Sequence, residues 1–176
     1  MHYQGSLGSP GFFDFDVNGV STLTLCDQFN PAITTEPYYA LIANLNDLTG
    51  TTLFLAGDPL ALEKYTKVGL IALQAYLNPA LAGDATWAMR YIVDGSGRIT
   101  NGAQTLLDWV ALQNPANYPQ LANFKIYAPV MLPGYILPTQ EQVGFDNPTP
   151  EPGTVVLIGG GLAAVLLVRR RRANAL

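Results

Sequence analysis

Histidine and cysteine each occur once in these 176 residues, and charged residues make up only 12%. The single cysteine, Cys26, excludes an internal disulfide and leaves a free thiol, an intermolecular bridge or a special chemistry of the sulfur. The single histidine, His2, stands at the extreme terminus, where no Ser-His or Cys-His pair can be held on a rigid element, so nucleophilic hydrolysis is disfavoured. Basic residues are scarcer than their count of nine suggests: four are Arg169, Arg170, Arg171 and Arg172, which leaves five against thirteen acids in residues 1–168. That acidic body argues against nucleic-acid binding, which needs a basic patch to displace counterions. No Walker loop, dinucleotide fingerprint, CxxC or HExxH is present, so no cofactor and no metal is implied. Met1 to Gly5 lacks the basic and apolar regions of a signal peptide, and a start codon further upstream is expected. What is abundant is apolar surface, at 49%, with 17 glycines and 13 prolines, a mixture typical of loop-rich exported β proteins.

Along the chain, Phe13-Asp14-Phe15-Asp16-Val17 alternates apolar and acidic residues, Asn18-Gly19 suits a type I′ turn, and Val20 to Cys26 resumes the alternation. A β-hairpin is predicted, with Val20, Thr22, Thr24 and Cys26 on one side. The same stretch, Asp14-x-Asp16-x-Asn18-Gly19, matches the first half of an EF-hand calcium loop, but position twelve is Leu25 where a bidentate Glu is needed. Further strands are expected at 38–45, 51–55, 124–130 and around 135–137. Helical spacing takes over from Asp58-Pro59, with Leu62, Tyr65, Val68, Gly69, Ala72 and Tyr76 forming a face for the sheet. A second helix is predicted from Asp84 to Gly95 with Trp87, Ala88, Tyr91 and Ile92 on one side. A third begins at Asn101 with Ala103, Leu106, Leu107 and Val110 as its stripe. Gln140-Glu141-Gln142 reads as an edge strand running into a Pro-rich linker.

The chain ends on a Pro-rich spacer, an apolar run from Thr154 to Val168 and the stop-transfer cluster Arg169, Arg170, Arg171 and Arg172. As a helix the run is about 22 Å long at 1.5 Å per residue, short of the ~30 Å hydrocarbon core. It can insert by local thinning, and the arginines resist translocation, which leaves the body outside.

Pro150-Glu151-Pro152, the short glycine-bearing run and the four arginines together resemble the PEP-CTERM sorting signal of Gram-negative bacteria, a segment also labelled the ice-binding protein C-terminal domain. The resemblance implies an exosortase in the inner membrane that recognises Pro150-Glu151-Pro152 and removes the apolar segment. The body would then pass to the cell surface or extracellular matrix, often beside exopolysaccharide. More loosely, the body resembles a recurring ectodomain of such proteins. The shared pieces are Tyr3 and Gly5, Phe13 to Gly19, Cys26-Asp27, a central helix, Ala88 to Asp94 and Gln140-Glu141. Many relatives have Cys-Asp-Asp where this chain has Cys26-Asp27-Gln28, and tryptophan where it has Arg90.

The order of strand with Cys26, helix, then Ala88-Met89-Arg90-Tyr91 also resembles surface adhesins that join a Cys to a Gln as a thioester and capture amines. The glutamine sought before the Ala88 segment is absent, with Thr86-Trp87 in its place, and Gln74 and Gln104 stand elsewhere. A buried structural cysteine is the plainer reading. Among the aromatics, Trp109 lies off the third helix's stripe and is the candidate glycan contact. A small glycan-active enzyme with two carboxylates is the remaining alternative.

The expected architecture is α+β: an antiparallel sheet or partial barrel with two or three packed helices in residues 1–137. A linker with the sorting motif follows at 138–153, then a transmembrane-like helix with an Arg-rich cytoplasmic tail at 154–176. The expected role is that of a non-enzymatic exported surface or matrix protein, with exosortase, the inner membrane and exopolysaccharide as partners.

Overall fold

The computed structural model describes residues 1–6, 11–27, 37–49, 53–95, 99–130 and 140–146. Their six strands are β1 (His2–Ser6), β2 (Phe12–Val17), β3 (Val20–Cys26), β4 (Ala40–Ala43), β5 (Phe124–Pro129) and β6 (Gln142–Phe145). The helices are α1 (Ala61–Leu77), α2 (Ala82–Asp94) and α3 (Asn101–Ala111). The strands form one antiparallel sheet in the order β1-β2-β3-β6-β5-β4. Its two outer strands approach at one end, where Met1 and Tyr38 exchange backbone hydrogen bonds of 2.7 and 3.0 Å. The sheet is therefore drawn part of the way towards a barrel.

The predicted hairpin is present as β2 and β3. Asn18 and Gly19 take left-handed φ of 55° and 86°, as a type I′ turn requires, and the Asp16 carboxylate accepts the Gly19 N–H at 2.6 Å. Asp14 accepts the Ser21 hydroxyl at 2.7 Å. These two carboxylates are thus engaged on the hairpin's own surface.

Directly opposed residues of an antiparallel ladder share a face. One face carries Phe12, Leu25, Val143, Phe145, Ile126, Phe124 and Ala128, all buried in the cluster that includes the helices. Tyr76 of α1 packs edge-on against Phe12 and Phe145, at 5.1 and 5.2 Å. Gly69 lets α1 settle onto the sheet, since a Cβ there would lie 2.9 Å from Leu121 and 3.3 Å from Phe124. The other face carries Phe15, Thr24, Cys26, Gln142 and Tyr127, also buried.

Several expectations need correction. Leu53 to Gly57 forms turns rather than a strand, with Ala56 and Asp58 donating to Leu53 and Leu55. Helix α1 begins at Ala61 because Asp58 is spent on Leu60 N–H and on Lys64, and Leu62 is exposed rather than core. In α2 the buried side is Ala85, Ala88, Met89 and Val93. Tyr91 is exposed, since small side chains are what allow α2 to lie close to α1. Thr100, not Asn101, caps α3 by accepting the Ala103 N–H.

The largest correction concerns residues 140–146. Far from being an edge strand leading into a linker, β6 lies between β3 and β5 with all four residues buried. The compact ectodomain accordingly runs from Met1 to Asp146 and not to 137. Among the described residues no helix is long and apolar enough to cross a membrane; the transmembrane-like helix expected at 154–176 lies outside them. The strand expected around 135–137, the motif Pro150-Glu151-Pro152, the apolar run and the stop-transfer residues Arg169, Arg170, Arg171 and Arg172 all lie outside the described residues.

Candidate functional site

Among the described residues, five of the six buried polar side chains, all but Thr86 of α2, are gathered around the β3–β6 ladder. Cys26 is opposed to Gln142 in register, and Thr24 to Gly144. Cys26 is wholly buried, and its thiol donates to Gln140 Oε1 at 2.7 Å. The Gln142 amide donates to the same sulfur at 2.9 Å, while its own Oε1 accepts from the Thr24 hydroxyl at 3.1 Å. Gln142 is thereby fixed at both ends, and Gln140 presents its carbonyl to the thiol. Burial pushes the Cys26 thiol up to about 12, against the opposing pull of the Gln142 amide and the Arg90 guanidinium. The sulfur is therefore protonated at neutral pH.

Just beyond the last rung, Asp27 follows Cys26 and Glu141 precedes Gln142, and the two acids neighbour one another on the sheet face turned to the helices. Like charges so placed across paired strands destabilise them. Both side chains are buried. Glu141 is well provided with donors: Tyr65 of α1 gives its hydroxyl at 2.8 Å and Phe54 its N–H at 3.0 Å. Tyr65 in turn accepts the Leu55 N–H at 3.3 Å. The Asp27 oxygens have no comparable donors; what faces them is the Glu141 carboxyl, Arg90 from α2 and the residue's own backbone N–H. Burial, then the neighbouring Glu141, pushes Asp27 well above the carboxylate range. Burial raises Glu141 as well, opposed by its bonds to Phe54, Asp27 and Tyr65. The pair therefore keeps a proton on Asp27, which donates it to Glu141. Arg90 also stacks over Trp87, its Cζ 5.5 Å from the ring centroid.

Of the residues singled out in the sequence, Cys26, Asp27, Arg90, Gln140 and Glu141 meet here. Gln74 and Gln104 are on α1 and α3, as expected, and Gln104 bonds to Asp108 at 2.8 Å. Trp109 is half-buried, edge-to-face with Tyr118 at 6.2 Å and packed on the core. The only two acids buried in the described core, Asp27 and Glu141, touch one another. They do not stand apart across an open cleft, as glycoside hydrolysis needs. Sequence reasoning missed Gln142 and Tyr65, and it sought the thiol's glutamine on a helix. The available signal was the alternation Gln140-Glu141-Gln142, which places two amides on one face of an extended segment and the acid on the other.

Chemically, the site brings together a buried thiol and a carboxamide, the two groups that condense to a thioester with loss of ammonia. Nothing in the described residues clusters three or more metal ligands.

Comparison with known proteins supplies the address of the chain. The family describing the PEP-CTERM protein-sorting motif matches residues 148–172. That span includes Pro150, Glu151 and Pro152 together with Arg169, Arg170, Arg171 and Arg172. The chain thus carries a PEP-CTERM sorting motif, which marks it for export and for processing at the membrane by an exosortase. No curated protein and no solved structure matches it.

Proposed function

Starting from a chain whose end is an export sorting motif, we propose that the ectodomain is a surface or matrix protein that attaches covalently through a thioester between Cys26 and Gln140. The observation that carries this reading is the buried contact of 2.7 Å between the Cys26 sulfur and the Gln140 carbonyl oxygen. Closure is balanced without an oxidant: the Cys26 S–H and the Gln140 carboxamide become an S–C(=O) bond, and the thiol proton leaves with nitrogen as ammonia. An amine nucleophile, such as a lysine or an amino sugar of the matrix, later displaces the sulfur and leaves an amide and a free thiol. Each chain reacts once, so the protein is a ligation reagent and not an enzyme. The exosortase acts in the inner membrane and releases the ectodomain towards an exopolysaccharide matrix.

Intact-mass analysis tests the thioester. The ectodomain should be one ammonia lighter than its sequence, and Cys26→Ala and Gln140→Ala should each abolish the deficit. Methylamine should add one molecule and expose one thiol. A wild-type mass equal to the sequence mass overturns the reading. For the tail, Glu151→Ala should hold the full-length protein in the membrane fraction, and unaltered release would count against recognition of the motif.

A further inference from the structure

Resting on that reading, we propose that Asp27 and Glu141 are positioning residues for the acyl transfer, a hydrogen-bonded carboxyl pair that ties the ends of β3 and β6 together and so holds the Cys26 thiol against Gln140. Cys26 is opposed to Gln142 on one face of the sheet, and just beyond this last rung Asp27 and Glu141 neighbour one another on the other. Asp27 follows the nucleophile in the chain, and Glu141 sits between the two glutamines. Each acid is therefore one peptide unit from a reacting or orienting side chain, and the separation of the two carboxyls sets the separation of sulfur and amide.

The groups around the pair make its proton consequential. Tyr65 faces it from α1 and donates to Glu141. Arg90 faces Asp27 from α2, and Cys26 adjoins it on β3. One cation and one phenol hydroxyl do not offset two buried carboxylates. When the shared proton is lost, the two acids become a repulsive pair and the strand ends part. Closure should then slow even though the thiolate fraction keeps rising with pH.

The experiment follows re-closure. The thioester of the wild-type ectodomain is opened with ammonia, which regenerates the Gln140 carboxamide and the Cys26 thiol. Ammonia is then removed, and the return of the mass deficit is timed across pH. Wild type should close with a rate that climbs and then turns down. Asp27→Asn donates to Glu141 without titrating, so it should close at a rate within about threefold of wild type at low pH and lose the downturn. Asp27→Ala removes the tie and should close at least tenfold more slowly.

An Asp27→Asn profile that turns down like wild type overturns the proposal. So does an Asp27→Asn protein that folds but no longer closes, since Asp27 would then be a proton donor to the reaction. If Asp27→Asn does not fold, the wild-type profile decides: a rate that climbs with pH and never turns down refutes the clamp. A wild type with no mass deficit at all overturns the thioester itself, an outcome distinct from these.

Discussion

Replacing Asp27 by Asn gives a direct thermodynamic measure of the buried acid pair. In a Cys26→Ala background the thiol plays no part in the titration. Burial and Glu141 raise Asp27 well above its ordinary value in the folded state. Between the ordinary carboxylate range and that raised value the folded protein holds a proton that the unfolded chain has released. The stability this proton provides is complete below the ordinary value and is lost as pH rises through the folded one. Each pH unit within the window lowers stability by about 1.4 kcal/mol for one proton. For a domain of this size that corresponds to a Tm falling by about 3–6 °C per pH unit. Asp27→Asn has no such proton, so its Tm should fall less steeply with pH, and it should gain on its parent steadily from the acidic end towards neutrality. Thermal melts followed by circular dichroism from about pH 4 to 8 measure both slopes. A parent whose Tm rises with pH over that range, or a variant whose slope is parallel to its parent's, would refute the neutral buried acid.

Other substitutions probe the surroundings of the site and the scaffold. Tyr65→Phe deletes the hydroxyl that Glu141 accepts at 2.8 Å; a loss of about 1.5–3 kcal/mol is expected where Glu141 is ionised, and denaturant titration should show a smaller loss in acid. Gly144→Ala places a Cβ 2.8 Å from the Leu23 carbonyl oxygen, so β3 and β6 must separate; both the denaturation midpoint and the ammonia deficit should fall, and an unchanged deficit would show that the ladder spacing does not control closure. Thr100→Ala removes the α3 cap and a 2.5 Å bond to Asp84, for an expected loss of about 1 kcal/mol with the mass deficit intact.

What the sequence shows of this fold depends on how local the deciding force is. The β2–β3 hairpin is legible because Asn18-Gly19 and the alternation around it act within a few residues. The stripe Ala103, Leu106 and Val110 of α3 is legible for the same reason, and all three residues are buried. Tyr65 and Val68 face inwards as their spacing demands, but Leu62 does not, because α1 overhangs the sheet at its first turn. Segment 140–146 is misleading in sequence: three polar residues beside prolines resemble a solvated edge. They are buried because Thr24, Cys26, Tyr65 and Asp27 satisfy them from 76 to 118 residues away in the chain or across the ladder. No window of sequence contains both halves of that arrangement. The export motif lies at the opposite extreme, since its three parts are contiguous and at the chain end.

The strand order carries a consequence for the timing of export. The strand that joins β1-β2-β3 to β5-β4 is the last of the described strands to be made, and Phe145 is only three residues before the start of the sorting motif at 148. A chain delivered amino end first emerges with the β3–β6 and β6–β5 ladders unmade and with Cys26 lacking Gln140 and Gln142. Folding is completed only when nearly the whole polypeptide has crossed. On the proposed thioester reading, closure therefore waits until β6 has followed β3 across the membrane, and Cys26 crosses as an unreacted thiol.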